Sequence, residues 1–257
     1  MGSLSVSSAE HGEWPEAVSY VAETGGHAPS VFAKTMCTTI PIEPQKTRLL
    51  DVGCGSGIVG IFCLVERGAT FVTFNDIQEE MISVTRSNVA RQVRFGVISE
   101  QQANYLVSPF QDIPEEILRR HDLIAFNPPQ LPEGSLPAQM RLEIHADPSM
   151  SYFRLGGSDG LDIVRQFLQW YSRLNEPMPK AVVLLSSFLG LKRISLAMDR
   201  GGIEWKILAR TRVPLRRILC DAAERLLPEE REDSSLISTA PGEWTKELLT
   251  VSLQRQL

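Results

Sequence analysis

R-L-L-D-V-G-C-G-S-G-I-V-G, Arg48 to Gly60, decides how this chain of 257 residues is put together. Leu49 and Leu50 are followed by one acid, Asp51, then by glycines at alternate positions (Gly53, Gly55, Gly57) and an apolar run toward Gly68. That order spells a strand, a tight turn and a helix. Glycine reaches positive φ and lets a ligand approach without meeting a Cβ, while a helix N-terminus presents unpaired N–H groups. The unit is built to cradle a nucleotide-like ligand. Gly55, Gly57 and Gly60 also spell G-x-G-x-x-G, and Asp76 lies where a dinucleotide-binding unit keeps its ribose carboxylate. An NAD(P)-dependent oxidoreductase is therefore one reading. Asp51 opposes it, because an ionised carboxylate just ahead of the glycines repels a pyrophosphate and suits a ligand carrying positive charge.

S-adenosylmethionine is such a ligand, with an ammonium and a sulfonium and no phosphate. The D-V-G-C-G-S-G stretch resembles motif I of the class I S-adenosylmethionine-dependent methyltransferases. The resemblance implies a Rossmann-like α/β fold, a seven-stranded sheet with its last strand antiparallel and helices on both faces. It also implies that Asp51, Gly53, Cys54, Gly55 and Gly57 hold the cofactor. Thr70 to Phe74 reads as the second strand, ending at Asn75-Asp76 where a parallel sheet presents its ligand edge. Asp76 is expected to accept both ribose hydroxyls, with Asn75 and Ile77 beside it; Asp76 could equally cap the helix that follows. Ala103 to Val107 reads as the third strand. In many methyltransferases an acid soon after it binds the adenine amino group, but Ser108-Pro109-Phe110-Gln111-Asp112 displaces or lacks that acid.

Asp122 to Gln130, D-L-I-A-F-N-P-P-Q, is an apolar strand ending in Asn127-Pro128-Pro129-Gln130. Two prolines fix φ and remove two donors, leaving rigid carbonyls beside an Asn amide. Such an acceptor-rich corner can hold the hydrogens of a planar amino or amide group and aim its nitrogen at a methyl donor, which is catalysis by orientation. The stretch resembles the N/D-P-P-Y/F/W motif of methyltransferases acting on exocyclic or amide nitrogens. Leu155-Gly156-Gly157-Ser158-Asp159-Gly160-Leu161 resembles the L-x-G-G-x-D-G-L segment of the release-factor glutamine methyltransferases. Gln130 departs from that pattern by replacing the aromatic residue. Only some 47 residues precede motif I, too few for that family's N-terminal helical domain.

Composition narrows the partners. With 26 Lys+Arg against 31 Asp+Glu there is no field to gather polyanions, so DNA is not expected. Cys37, Cys54, Cys63 and Cys220 form no CxxC and no cluster with the four histidines, so no metal site and no disulfide framework is expected. There is no membrane-length apolar run and no signal-peptide pattern, and a soluble, cytoplasmic protein follows as the expectation. Residues 1–45 read as a helical lead-in with His27 in a loop, and 46–257 as the methyltransferase domain. Within it 131–155 is lid-like and carries Arg141, Glu143, His145, Asp147, Tyr152 and Phe153. An insertion at 214–241 widens the final hairpin. Arg210, Arg212, Arg216 and Arg217 could hold an anionic acceptor or face solvent or a second subunit. Because Gln130 can donate and accept hydrogen bonds, the expected acceptor is a small polar metabolite, with a protein glutamine or an RNA base as the alternative. A homodimer and a non-catalytic subunit of the same fold remain open.

Overall fold

The computed structural model describes residues 30–136, 155–175, 177–201, 203–215 and 217–255, together with 138 and 142. Residues 1–29 of the expected helical lead-in, with His27 and its loop, and most of 131–155 lie outside the described residues. Eight strands form one sheet: β1 (Arg48–Val52), β2 (Phe71–Asp76), β3 (Ala103–Val107), β4 (Leu123–Phe126), β5 (Lys180–Ser186), β6 (Ile203–Pro214), β7 (Ile237–Ala240) and β8 (Glu243–Arg255). Their order is β3-β2-β1-β4-β5-β8-β6. The first five are mutually parallel, and β8 enters antiparallel between β5 and β6. The expected seven-stranded path is therefore present. β7 is an addition that pairs with the start of β8.

Side-chain alternation assigns the two faces. Leu49, Val182 and Leu184 enter one core with α1 (Val31–Thr39), α2 (Ile58–Val65) and α3 (Glu79–Arg94). Leu50, Val52 and Val183 enter the other with α5 (Asp162–Tyr171) and α6 (Leu191–Arg200). A short α4 (Glu115–Leu118) leads into β4. Ser30 caps α1, its hydroxyl accepting the Ala33 N–H at 3.2 Å. The 214–241 insertion contains α7 (Arg217–Arg225), α8 (Pro228–Asp233) and β7, so its acidic run forms a short helix. Pro228 sits at its first turn and Glu229 and Glu230 lie at its positive end, which favours that outcome. A third apolar cluster joins Leu215, Leu219, Ala223 and Leu236 of this insertion to Leu136, Leu131 and Leu155.

Gly60 shows how closely α2 lies on the sheet. A Cβ there would stand 2.4 Å from Phe74 Cε1 and 2.8 Å from Val72 Cγ1. Phe74 and Val72 are fully buried and have nowhere to go. Gly60→Ala is expected to destabilise the fold by about 1–3 kcal/mol through overpacking. At the usual 2–4 °C per kcal/mol for a domain of this size, thermal denaturation should show a drop of several degrees; an unchanged melting temperature would mean the helix can slide.

Candidate active site

The turn after β1 takes three left-handed residues in alternation: Gly53, Gly55 and Gly57 have φ of 62°, 56° and 78°. No side chain tolerates that series well, which explains the spacing read from the sequence. The three glycines are not equivalent. A Cβ on Gly57 would strike Thr85 at 2.7 Å, whereas one on Gly55 would meet nothing within 4 Å. Gly55 thus presents bare backbone to open space, the surface a ligand needs. The turn is held from below by α3: Thr85 Oγ1 donates to the Gly55 carbonyl and Asn88 Nδ2 to the Ser56 carbonyl, each at 2.8 Å. Cys54 N–H donates to the Asn75 carbonyl at 2.9 Å. The Cys54 thiol is buried, 3.6 Å from Thr85 Oγ1, and burial raises its pKa well above the ordinary thiol value.

Asp76 ends β2. Its Oδ2 accepts the Gly55 N–H and its Oδ1 the Gln78 N–H, both at 3.0 Å. The N-cap of α3 is Gln78 and not Asp76, so the alternative capping role is corrected to a turn-closing bond two residues earlier. A carboxylate offers about four lone-pair sites, so roughly two remain for hydroxyl groups. Burial raises its pKa, opposed by these amide bonds. Ile77 beside it is 54% exposed and Val107 at the end of β3 is 47% exposed, two apolar side chains standing in water at the ligand edge. Asn75 is placed differently from the cofactor-facing role expected of it: its Nδ2 donates to Ser108 O at 2.9 Å and Ser108 Oγ at 3.2 Å, tying β2 to the loop after β3. In that loop Phe110 packs on Phe126 and Phe167, and Gln111 and Asp112 are exposed.

Asp51 shares the face of Leu49. It is 4% exposed, its Oδ2 accepts the Gly60 N–H at 3.0 Å, and its other oxygen has no hydrogen-bond partner among the described residues. Burial, with the neighbouring Asp76 charge adding to it and the Gly60 bond opposing it, raises the pKa to about 7. A carboxyl raised in this way favours the fold fully below its unfolded value near 3.8, and that contribution is lost as pH rises through about 7. A cationic ligand reverses the preference by favouring the carboxylate. The affinity for S-adenosylmethionine is therefore expected to rise from about pH 5.5 toward about pH 7, by at most about tenfold per unit, and to flatten above that. Calorimetry across that range, with Asp51→Asn as the flat control, checks it; a pH-independent wild type would place Asp51 outside the ligand's field.

At the end of β4, Asn127 is half-buried and its amide meets no partner among the described residues. Gln130 is the opposite case and corrects the expectation that it faces the acceptor. It is 7% exposed, its Nε2 donates to Leu184 O at 2.9 Å, and its Oε1 accepts the Ser186 N–H at 2.7 Å. The glycine segment after the corner has a clear reason to accompany it. A Cβ on Gly156 would sit 2.8 Å from Gln130 Cα, and one on Gly160 2.8 Å from Gln130 O. Residues on either side of the lid-like stretch also pair: Gly156 N–H donates to Leu131 O at 3.1 Å and Glu133 N–H to Gly157 O at 3.0 Å. Arg210 and Arg212 are both bonded to Glu247, at 2.7 and 3.0 Å, so one carboxylate answers one of their two charges; Arg216 and the Arg217 side chain lie outside the described residues. All four cysteines are free and buried, and no metal-binding group of His, Cys, Asp and Glu occurs among the described residues. No described helix is long and apolar enough to cross a membrane.

Residues 28–147 match the family described as Methyltransferase small domain. A putative protein N5-glutamine methyltransferase of Methanocaldococcus jannaschii is 24% identical over 186 residues, covering 72% of this chain and 85% of that protein. The release factor glutamine methyltransferase of Bacillus anthracis is 28% identical over 125 residues, covering 49% of this chain and 41% of that enzyme. The chain thus spans about two fifths of the latter's length. Among solved structures, the YcgJ protein from Bacillus subtilis superposes with a TM-score of 0.51 at 11% identity, over 88% of this chain and 98% of that one, a likeness of fold. The sheet order, the bare Gly55 backbone beside two carboxylates and these matches support an S-adenosylmethionine-dependent methyltransferase on a Rossmann-like fold.

Proposed function

We propose that the chain transfers a methyl group to the side-chain amide nitrogen of a glutamine in a protein. The observation that carries this is Asn127, an amide with unspent hydrogen-bonding capacity held beside two prolines at the ligand edge. Its carbonyl oxygen, with the Pro128 carbonyl, would accept the two hydrogens of a carboxamide and leave the nitrogen lone pair directed at the donor. The bound cofactor supplies an activated methyl on a sulfonium. The chain's own part is to seat it: Gly53, Gly55 and Gly57 give it bare backbone, Asp76 would accept the ribose hydroxyls, Ile77 and Val107 would flank the base, and Asp51 would offset positive charge. The names of the relatives support a protein glutamine as acceptor. The small-metabolite alternative rested on directional bonds from Gln130, and those bonds run into β5.

The test is transfer from methyl-labelled S-adenosylmethionine to purified release factors, to transcribed RNA and to a deproteinised metabolite pool. Label in the release factor that vanishes when the acceptor glutamine is replaced supports the proposal. Label confined to the metabolite pool or to RNA overturns it.

A further inference from the structure

We infer that Gln130 is a positioning residue: its side chain acts as a surrogate peptide of the sheet and so sets the height at which Asn127 stands over the ligand edge. The inference rests on transfer occurring at Asn127. The β4–β5 ladder ends at Phe126 opposite Val183. It cannot continue, because Pro128 and Pro129 have no N–H to give. Yet β5 continues to Ser186, and its Leu184 carbonyl and Ser186 N–H sit in a buried place where unpaired groups are costly. Gln130 answers both, donating to Leu184 O at 2.9 Å and accepting from Ser186 N–H at 2.7 Å. One donor and one acceptor bonded to residues two apart on the neighbour is how a single residue of a parallel strand pairs. Its Nε2 also lies 3.4 Å from Pro128 O, inside the corner itself.

The clamp is braced on both sides. Behind it, Lys246 Nζ donates to Ser186 Oγ at 2.8 Å and lies 4.6 Å above the Phe32 ring. In front, the close approach of Gly156 and Gly160 leaves the Gln130 backbone no room to retreat. The chain can therefore leave the sheet at Asn127 while the sheet stays satisfied. The aromatic residues of the motif this stretch resembles carry no carboxamide, with its separate donor and acceptor, to make this pair of bonds.

Gln130→Glu tests this, because its protonation state switches the clamp. Ionised, it sets an acceptor against the Leu184 carbonyl; protonated, it offers one O–H donor and one acceptor, as glutamine does. At saturating cofactor, kcat of Gln130→Glu should lie about tenfold or more below wild type at pH 8 and return to within about threefold at pH 6, with cofactor affinity within about twofold of wild type at each pH. Activity is read as label transferred to a whole-cell extract, summed over protein, RNA and small-molecule fractions. Label in the wrong fraction would then overturn the proposed acceptor without touching this test. An unchanged kcat at pH 8, a defect that does not respond to pH, or a parallel loss of cofactor affinity would overturn the inference. Amide hydrogen exchange in Gln130→Met gives an acceptor-free second measurement: the Ser186 amide should exchange faster than in wild type, and unchanged protection would also overturn it.

Discussion

Asp76→Ala is expected to weaken S-adenosylmethionine binding by about 10- to 150-fold, the equivalent of ~1.5–3 kcal/mol for hydrogen bonds to a charged group. The direct part of that loss is the pair of lone-pair sites left over after Gly55 and Gln78 have been served. The indirect part is the turn itself, since without the carboxylate the Gly55 N–H loses its partner and the bare backbone surface is no longer held in place. Asp76→Asn separates the two. Its single carbonyl oxygen can keep one amide bond, while its NH2 group confronts whichever N–H remains. It should therefore bind the cofactor poorly as well, with a smaller loss of thermal stability than the alanine variant. Calorimetry with the cofactor, and with NAD as comparison, provides the measurement. Unchanged affinity in the alanine variant, or tight NAD binding by wild type, would sink the assignment of this carboxylate.

Asn127→Ala is expected to lower the single-turnover rate of methyl transfer by about 100-fold or more, with cofactor affinity within about twofold of wild type. The expectation follows from where the amide is spent. Asp76 and Thr85 hold backbone of the glycine turn and Asp51 holds the first turn of α2, whereas Asn127 holds nothing among the described residues, so its removal should leave the cofactor seat intact. If the rate stays within about threefold, a change of under ~1 kcal/mol, the corner only terminates a strand.

What could be read from the residues in advance divides along physical lines. The glycine turn was legible because positive φ at three alternate positions has essentially one residue type as its solution. The strand ends at Asp76 and Asn127 were legible because apolar runs stopped there at polar residues. Thr85 and Asn88, which hold the turn from below, were missed, although a signal was available: with Ile82, Val89 and Gln92 they make up the buried residues of α3, polar groups in a helical stripe that should have been apolar. Such residues need buried partners, and the turn carbonyls are those partners. Gln130 was misread for a different reason. A carboxamide bonds equally well to a substrate or to a neighbouring strand, and nothing in its spacing says which way χ1 turns it. Asn75 falls under the same rule. The eighth strand was missed because Ile237–Ala240 is too short to announce itself without β8 to pair with.

The pairing of Leu131 through Gly134 with Leu155 through Ser158 bears on how this enzyme could be re-engineered. Two chain ends already fastened side by side make the stretch between them a closed loop, and closing a loop costs only about 0.6 kcal/mol more for each doubling of its length. Segments of quite different size could therefore be transplanted between Leu136 and Leu155 without pulling on Asn127, which makes this paired base a graft point for loop libraries while the methyl-donor seat stays as it is.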